Sequence, residues 1–259
     1  GNALTNMKIE PGLEEGEHAG TDWQDAWVYK WLEAAAVCWA MTEDAELDQL
    51  MDETIGIVAQ AQQPDGYIAT QTTVRGRERF QQPGHHELYT MGHLLTAACL
   101  HHRLTSKTSL LEVAVRAADY VWRTFKGRDP ELAHFPYNPS IIMGAVELYR
   151  TTGNRANLDM ANLFIDMRGA VQGGNDQCQD TVPLREETEV VGHAVFYTYL
   201  YAGAADAYME TGDRALLDAL ERLWHDFVET KMYVHGGTCA VHQGLYFRQD
   251  GPLWGGQKV

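Results

Sequence analysis

The sequence predicts an all-α fold made of consecutive helical hairpins, of the α/α toroid or solenoid type. Three observations lead to this prediction: a weak internal repeat, a difference in polarity between the two helices of each repeat, and few strand signals. The repeat comprises four segments, each with a threonine, a short polar or glycine turn, and then apolar residues at helical spacing. The segments are "WAMTEDAELDQLMDETI", "HRLTSKTSLLEVAVRAA", "YRTTGNRANLDMANLFI" and "YMETGDRALLDALERLW", with the threonines Thr42, Thr105, Thr152 and Thr211.

A first helix precedes each threonine and a second helix follows it. The first helices, such as "LYTMGHLLTAACL" and "AVFYTYLYAGAADAY", are apolar on nearly all sides and rich in alanine. The second helices have a clearer polar face, for example Asp48, Asp52 and Glu53. Because helices buried on most sides lack a polar face, this difference predicts an inner ring of helices surrounded by an outer ring.

Strand signals are limited to two short, turn-rich segments. "PDGYIAT" (64–70) and "KMYVHGG" (231–237) are interpreted as loops or small hairpins between helical units. Four hairpins are visible, whereas a closed α/α toroid commonly has six. We therefore expect residues 1–259 to form one partial (α/α)6-barrel domain.

Composition and charge restrict the class of partner. With 36 acidic and 20 basic residues, the formal net charge is -16, and such a surface repels phosphate backbones and anionic lipid. We therefore expect neither nucleic acid nor a membrane as a partner. The four cysteines are far apart in the sequence and predict no disulfide framework. The chain begins Gly-Asn-Ala-Leu, and we interpret it as a processed or partial chain.

A polar or aromatic group stands ahead of each first helix, in "DWQD", "HHELY", "YNPS" and "VGHA". The repeat threonine follows 17 residues after Asp25, 19 after His86, 14 after Asn138 and 18 after His193, which is roughly 21–28 Å of helix. Equivalent positions in stacked hairpins lie at the same end of the structure. Six side chains are therefore expected to converge there, in a pocket suited to a carbohydrate: Gln24, Asp25, His86, Glu87, Asn138 and His193. Helix capping alone is the alternative for Asp25 and Ser140.

The stretch "GHHELYTMGH" (84–93) resembles a zinc motif at first sight. A zincin needs a second histidine three residues after His-Glu, and Thr90 occupies that position after His86 and Glu87. His93 lies inside the apolar run, and we interpret it as a hydrogen-bonded core histidine. The stretch is therefore interpreted as a helix start that offers His86 to the pocket.

Other chemistries remain open from the residues alone. Asp25 and Glu87 form a carboxylate pair that could hydrolyse a glycoside, and "REETE" (185–189) is interpreted as a solvated loop. A sugar epimerase or isomerase of the toroid class would use histidines as proton carriers. A non-catalytic carbohydrate-binding module is the third possibility.

The assembled segments resemble glycoside hydrolase family 127, the β-L-arabinofuranosidase type, and its close relatives. The matching pieces occur in the family's order, and the likeness spans residues 13–237. They are "QDAWVYKWLEAAA", "PDGYIAT", "HHELYTMGHLLTAA", "VELYRTTGN", "VVGHAVFYTYLYAGAAD" and "KMYVHGG". The resemblance implies an (α/α)6 barrel that holds an arabinofuranose-type sugar. It also implies a retaining reaction with a zinc-bound cysteine thiolate as nucleophile and a glutamate as acid/base.

When the family's motifs are matched to this sequence position by position, the resemblance implies that His86 and His193 bind the substrate. It implies the same for the polar pair Gln24 and Asp25. Asn138 stands where many members have a histidine before proline, so the resemblance does not carry that contact or the sugar preference over to this chain. The family's acid/base glutamate and its zinc-ligand cysteines follow the glycine-rich segment, and the sequence stops at "LWGGQKV". Cys239 comes too early to be the nucleophile. We therefore expect catalytic residues and zinc ligands to be absent from this chain, and the isolated chain to be inactive.

Overall fold

The computed structural model describes residues 1–238, and this part of the chain contains helices and no strand. Its helices are α1 Asn2–Ile9, α2 Ala26–Thr42, α3 Ala45–Ala61, α4 Thr70–Thr73, α5 Glu87–Thr105, α6 Ser109–Phe125, α7 Ser140–Thr152, α8 Arg155–Asp166, α9 Ala194–Thr211 and α10 Arg214–Asp226. The pairs α2/α3, α5/α6, α7/α8 and α9/α10 are the four predicted hairpins. The all-α prediction is thus confirmed. No helix among residues 1–238 is both long and apolar enough to cross a membrane.

The repeat threonines end the first helix of each hairpin. Each threonine hydroxyl donates to the carbonyl four residues earlier, at 2.9 Å for Thr42, 2.7 Å for Thr105 and Thr152, and 2.8 Å for Thr211. The next residue is left-handed in every case: Glu43, Ser106, Gly153 and Gly212 have φ between 53° and 70°. A left-handed residue stops a helix by turning the chain. The internal repeat is therefore a repeated helix C-terminus.

The next helix begins at once because a side chain caps it in three of the four hairpins. Asp44, Asn154 and Asp213 accept hydrogen bonds from backbone N–H groups of α3, α8 and α10, respectively. Such caps satisfy N–H groups that have no partner within the helix. Consecutive helices consequently run antiparallel, and the starts of α2, α5, α7 and α9 lie at one end of the molecule.

The first helices form the inner layer, in which α5 and α7 are central and α2 and α9 flank them. Gly92 of α5 and Gly144 of α7 allow the two central helices to cross closely. A Cβ added to Gly92 would lie 2.5 Å from the backbone nitrogen of Ile141, and one added to Gly144 would lie 2.5 Å from the carbonyl oxygen of Gly92. Glycine is needed at both positions because no side chain fits between the backbones.

The two flanking inner helices differ from the prediction of burial on nearly all sides. In α2, Trp27 and Met41 are 55% and 81% exposed. At the other end, Met209 of α9 and Trp224 of α10 are 64% and 61% exposed. Among residues 1–238, α5 and α7 have inner helices on both sides, whereas α2 and α9 each have an inner neighbour on one side only. The described residues thus form an arc of hairpins with an apolar face at each end.

Candidate functional site

His86 occupies the start of α5 in a backbone conformation that is uncommon for histidine. A short turn over Pro83–His85 leads into it, and its own φ is 57°. The ring makes edge contacts with Trp23 and Tyr137, at centroid distances of 5.1 Å and 5.4 Å. Burial lowers the pKa of His86 to about 4. The imidazole is therefore neutral near pH 7, with one nitrogen that donates and one that accepts a hydrogen bond.

His193 occupies the equivalent position at the start of α9. Its Nδ1 accepts a hydrogen bond from the backbone N–H of Val195 at 3.1 Å, so it caps the helix. The ring stacks on Phe196 at 4.1 Å with an interplanar angle of 14°. Burial lowers the pKa of His193 as well, and the neighbouring His193 contributes to the lowered pKa of His86. Both histidines thus belong to one environment.

Tyr137 connects the two histidines. Its ring contacts His86 on one side and Phe196 on the other, the latter at 5.1 Å. The chain of contacts His86–Tyr137–Phe196–His193 crosses from the start of α5 to the start of α9, past the loop before α7. This wall of aromatic rings and neutral imidazoles can stack on a sugar ring and hydrogen-bond its hydroxyls.

Asn138 follows Tyr137 and is 5% exposed. Its Oδ1 has no hydrogen-bond partner among residues 1–238. A buried amide oxygen without a partner costs free energy, and such atoms commonly mark a place where a ligand or water binds.

Nearby, the hydroxyl of Ser140 donates to the carbonyl of Tyr89 at 3.1 Å and so ties α7 to α5. The capping interpretation of Ser140 is wrong, because the hydroxyl makes this interhelical bond instead.

One turn further into α5, a second group of polar side chains lies between the inner helices. Lys30 of α2 donates to the hydroxyl of Tyr89 at 2.7 Å. The ring of His93 contacts Tyr89 at 4.6 Å and Tyr199 at 5.6 Å. His93 is buried as expected, but its Nε2 has no hydrogen-bond partner in the described part of the chain, so the prediction of a hydrogen-bonded core histidine is wrong.

The carboxylates of Asp25 and Glu87 are both occupied by hydrogen bonds from other parts of the protein. The Asp25 carboxylate accepts hydrogen bonds from the backbone N–H of Thr70, at 2.7 Å, and from the Thr70 hydroxyl. It makes no capping bond to α2, so capping is not its role. The Glu87 carboxylate accepts from the hydroxyl of Tyr67 and from the backbone N–H of Phe80 at 3.0 Å. Burial raises the pKa of Asp25 to about 6 and also raises that of Glu87.

Gln24 follows Trp23, whose ring contacts His86. Its Oε1 accepts from the backbone N–H of Thr21 at 3.3 Å and from the Thr21 hydroxyl at 3.2 Å. The side chain also lines a groove of about 410 Å³ between α1, α2 and α3, beside Trp27 and Trp31. The structure thus brings His86 and His193 into one cluster with Tyr137, next to Asn138, whereas the side chains of Asp25 and Gln24 bond Thr70 and Thr21.

Arg168 holds the two loops that carry the site and was not identified from the sequence. The residue is 2% exposed, and its guanidinium donates to the carbonyls of Pro136, Cys178 and Gln179. Pro136 precedes Tyr137. The turn at Cys178 holds the other loop, where the carbonyl of Gln177 accepts from the backbone N–H of His193 at 2.9 Å. No sequence motif marks this arginine, because its partners are backbone carbonyls.

The segment 185–189 is the solvated loop that the sequence predicted only in part, because Glu186, Thr188 and Glu189 are exposed whereas Arg185 and Glu187 are not. Glu187 is 6% exposed, and burial raises its pKa to about 7. Its carboxylate accepts a hydrogen bond from the Tyr201 hydroxyl at 3.2 Å. Arg185 bonds Asp166 and Asp213, each at 2.7 Å. Arg185 and Glu187 thus tie this segment to the end of α8, to the N-cap of α10 and to α9.

The described residues do not fit a zinc site. Among residues 1–238, no three histidine, cysteine or acidic side chains are close enough to share a metal ion. Cys99 and Cys178 are buried, and burial raises the pKa of each thiol to about 11, which disfavours the thiolate that zinc binds. Cys239, which the sequence already argued against as nucleophile, lies outside the described residues.

The arc of two-layered hairpins, with its histidines and aromatic rings at the starts of the inner helices, places the chain in the class of α/α-toroid proteins. Residues 2–252 match the family model described as the β-L-arabinofuranosidase GH127 catalytic domain. The chain belongs to this family.

Its relatives support this assignment in sequence and in structure. The chain is 34% identical to a non-reducing end β-L-arabinofuranosidase of Bifidobacterium longum subsp. longum, over 96% of its own length and 42% of the relative's. The crystal structure of Ara127N, a GH127 β-L-arabinofuranosidase from Geobacillus stearothermophilus T6, matches with a TM-score of 0.89 and 32% identity, over 95% of this chain and 42% of that one. A GH127 β-arabinofuranosidase matches with a TM-score of 0.86 and 32% identity, over 95% and 41%. The chain therefore spans less than half the length of these relatives.

Proposed function

We propose that the chain forms part of a glycoside hydrolase catalytic domain and binds a β-L-arabinofuranoside. The observation that carries this proposal is the unbroken contact His86–Tyr137–Phe196–His193 across the starts of the inner helices. The names of the relatives supply the sugar. The partner is then a carbohydrate that contains arabinose.

Each site residue has a proposed task. His86 and His193 hydrogen-bond sugar hydroxyls as neutral imidazoles, and Asn138 contributes an amide oxygen that has no partner in the described part of the chain. Gln24 contributes at the edge of the pocket. Asp25 supports substrate binding indirectly, because its carboxylate is occupied by Thr70 and fixes that segment against the start of α2.

The histidine environment favours binding over proton transfer. An epimerase that used His86 as a proton carrier would need a pKa near the working pH, whereas burial lowers the pKa of this residue to about 4. The carboxylate pair Asp25 and Glu87 is also disfavoured as a hydrolytic pair. Both carboxylates accept hydrogen bonds from groups of the protein itself.

We further propose that residues C-terminal to this chain supply the chemistry that the family resemblance implies: a retaining reaction, a zinc-bound cysteine thiolate and a glutamate acid/base. The apolar faces at both ends of the arc support this proposal. Trp27 and Met41 on α2, and Met209 and Trp224 at the other end, are exposed where further hairpins of a closed toroid would pack. Residues 1–259 would then be the N-terminal part of one (α/α)6 domain.

Two measurements on the isolated chain test the proposal. We expect no turnover of an aryl β-L-arabinofuranoside, and we expect calorimetry to detect binding of methyl β-L-arabinofuranoside. His86→Ala should weaken this binding about tenfold, the effect of one lost hydrogen bond and its contacts, and the exposed His225→Ala should not. Turnover that Asp25→Asn or Glu87→Gln abolishes would contradict the proposal and favour the carboxylate pair. Interconversion of free sugars, seen by product analysis, would favour the epimerase.

A further inference from the structure

A pair of arginines lies next to the ring cluster and shares a single carboxylate. Arg75 and Arg77 both donate to Oδ1 of Asp22, the latter at 2.9 Å. Arg75 also donates to the carbonyl of Gly20 at 2.9 Å. Within residues 1–238, neither arginine forms an ion pair with any other acidic side chain. Two positive charges against one negative charge leave this cluster with an excess of one positive charge.

The arginine pair lies at the rim of the candidate sugar pocket. Asp22 directly precedes Trp23, whose ring contacts His86 at 5.1 Å. On the other side, the carbonyl of His85 accepts a hydrogen bond from Gln71 at 3.1 Å, which joins the α4 segment to the start of α5. The exposed fractions of the Arg75 and Arg77 side chains are 26% and 27%, so both side chains are partly accessible to solvent.

Two histidines complete the cluster without adding charge. His85 is 8% exposed, and its Nδ1 has no hydrogen-bond partner among residues 1–238. Burial, with the nearby arginine charges, lowers the pKa of His85 and lowers that of His18 to about 4. Both rings are therefore neutral near pH 7. A buried imidazole nitrogen without a partner beside two guanidiniums is a further sign that a polar group of a ligand binds here.

We propose that Arg75 and Arg77 bind the carboxylate of an acidic sugar linked to the arabinofuranose. Guanidinium forks match carboxylate oxygens, and partly buried ones bind them more strongly than fully solvated ones. This local excess of positive charge is significant because the protein as a whole has a net charge of -16 and otherwise repels an anionic glycan. The proposal rests on the proposed function, since it assigns the neighbour of the sugar that His86 and His193 hold.

A matched pair of ligands separates this inference from the proposed function. One ligand is a β-L-arabinofuranosyl glucuronic acid disaccharide, and the other is its methyl ester, which has the same shape and no charge. Calorimetry at low salt should give the acid an affinity about fivefold higher than the ester, the size expected of a partly exposed ion pair. At high salt the advantage should disappear because exposed charges are screened.

Variants locate the effect. Arg77→Gln should abolish the preference for the acid and leave the affinity for the ester unchanged, whereas Arg77→Lys should retain part of the preference. Arg79→Gln is the matched control, because Arg79 bonds Asp65 on the other side of the segment.

Equal binding of acid and ester by the unmodified chain would overturn the inference while leaving the proposed function intact. Failure of both ligands to bind would overturn both proposals. A preference that survives Arg77→Gln and is lost in Arg79→Gln would refute the assignment to this pair.

Discussion

His86 and His193, which are 107 positions apart in the sequence, are connected through two aromatic rings that contact each other. Tyr137 contacts His86, Phe196 stacks on His193, and the two aromatic rings touch each other at 5.1 Å. The relationship arises because each hairpin returns the chain to the same end of the arc. Repetition of one local device, the threonine turn with its left-handed residue, thus assembles a site from residues that are remote in sequence.

Asp25 should make the stability of the protein fall as the pH rises from about 4 to 6. An aspartate side chain ordinarily has a pKa of 3.8. In the folded protein the pKa of Asp25 is about 6, because burial penalises the charged form. Between these values the folded state binds more protons than the unfolded state, so the free energy of unfolding decreases with pH, by up to about 3 kcal/mol. Urea denaturation at several pH values measures this slope.

Asp25→Asn isolates this contribution from those of other titrating groups. The variant should lose that part of the slope because an amide does not titrate in this range, and any loss of stability from its altered hydrogen bonds to Thr70 should be the same at every pH. Asp218→Asn, at an exposed position on α10, should leave the slope unchanged. Identical pH dependence in the unmodified protein and Asp25→Asn would show that this carboxyl does not titrate as described.

Gly92→Ala should destabilise the protein by about 2 kcal/mol, because the added methyl would lie 2.5 Å from the backbone of Ile141 and would force α5 and α7 apart. Gly56→Ala in α3 is the matched control. It has open space around the added methyl and should instead stabilise the protein by up to about 1 kcal/mol through helix propensity. Urea denaturation compares the two, and a neutral effect of Gly92→Ala would refute the close crossing.

Arg168→Met should cost about 3 kcal/mol of stability, since it leaves the buried carbonyls of Pro136 and Cys178 without their donor. Arg155→Met removes only an exposed pair with Asp159 and should cost less than about 0.5 kcal/mol. Chemical denaturation of both variants provides the measurement. Similar small losses in the two would mean that Arg168 does not hold the loops before α7 and α9.

Much of the fold could be predicted because local sequence signals determine where its helices begin and end. The threonine turns and the apolar inner helices act over a few residues, and they identified the four hairpins. The caps Asp44, Asn154 and Asp213, seen in the structure, are equally local. The short helices α1 and α4 were not predicted. Their sequences have no strong helical periodicity, and tertiary contacts with α2 and α3 hold α1 in place.

The site was less predictable, because its residues are arranged by loops. The sequence placed His86 and His193 at equivalent helix starts, but it gave no sign that Asp25 and Glu87 would bond Thr70 and Phe80 instead of opening to the pocket. Trp23 and Tyr137 stand in the segments "DWQD" and "YNPS" that the repeat already singled out. Their aromatic character was the available signal. Arg168 offered none, since any residue can supply the carbonyls that it binds.

The most direct measurement follows the histidine ring signals of the ¹³C-labelled chain during a titration with methyl β-L-arabinofuranoside. The signals of His86 and His193 should shift together and give the same dissociation constant, because one sugar contacts both rings. The signal of His225, on the outer helix α10, should stay in place. A shift of only one of the two rings, or two different dissociation constants, would contradict a single shared sugar pocket.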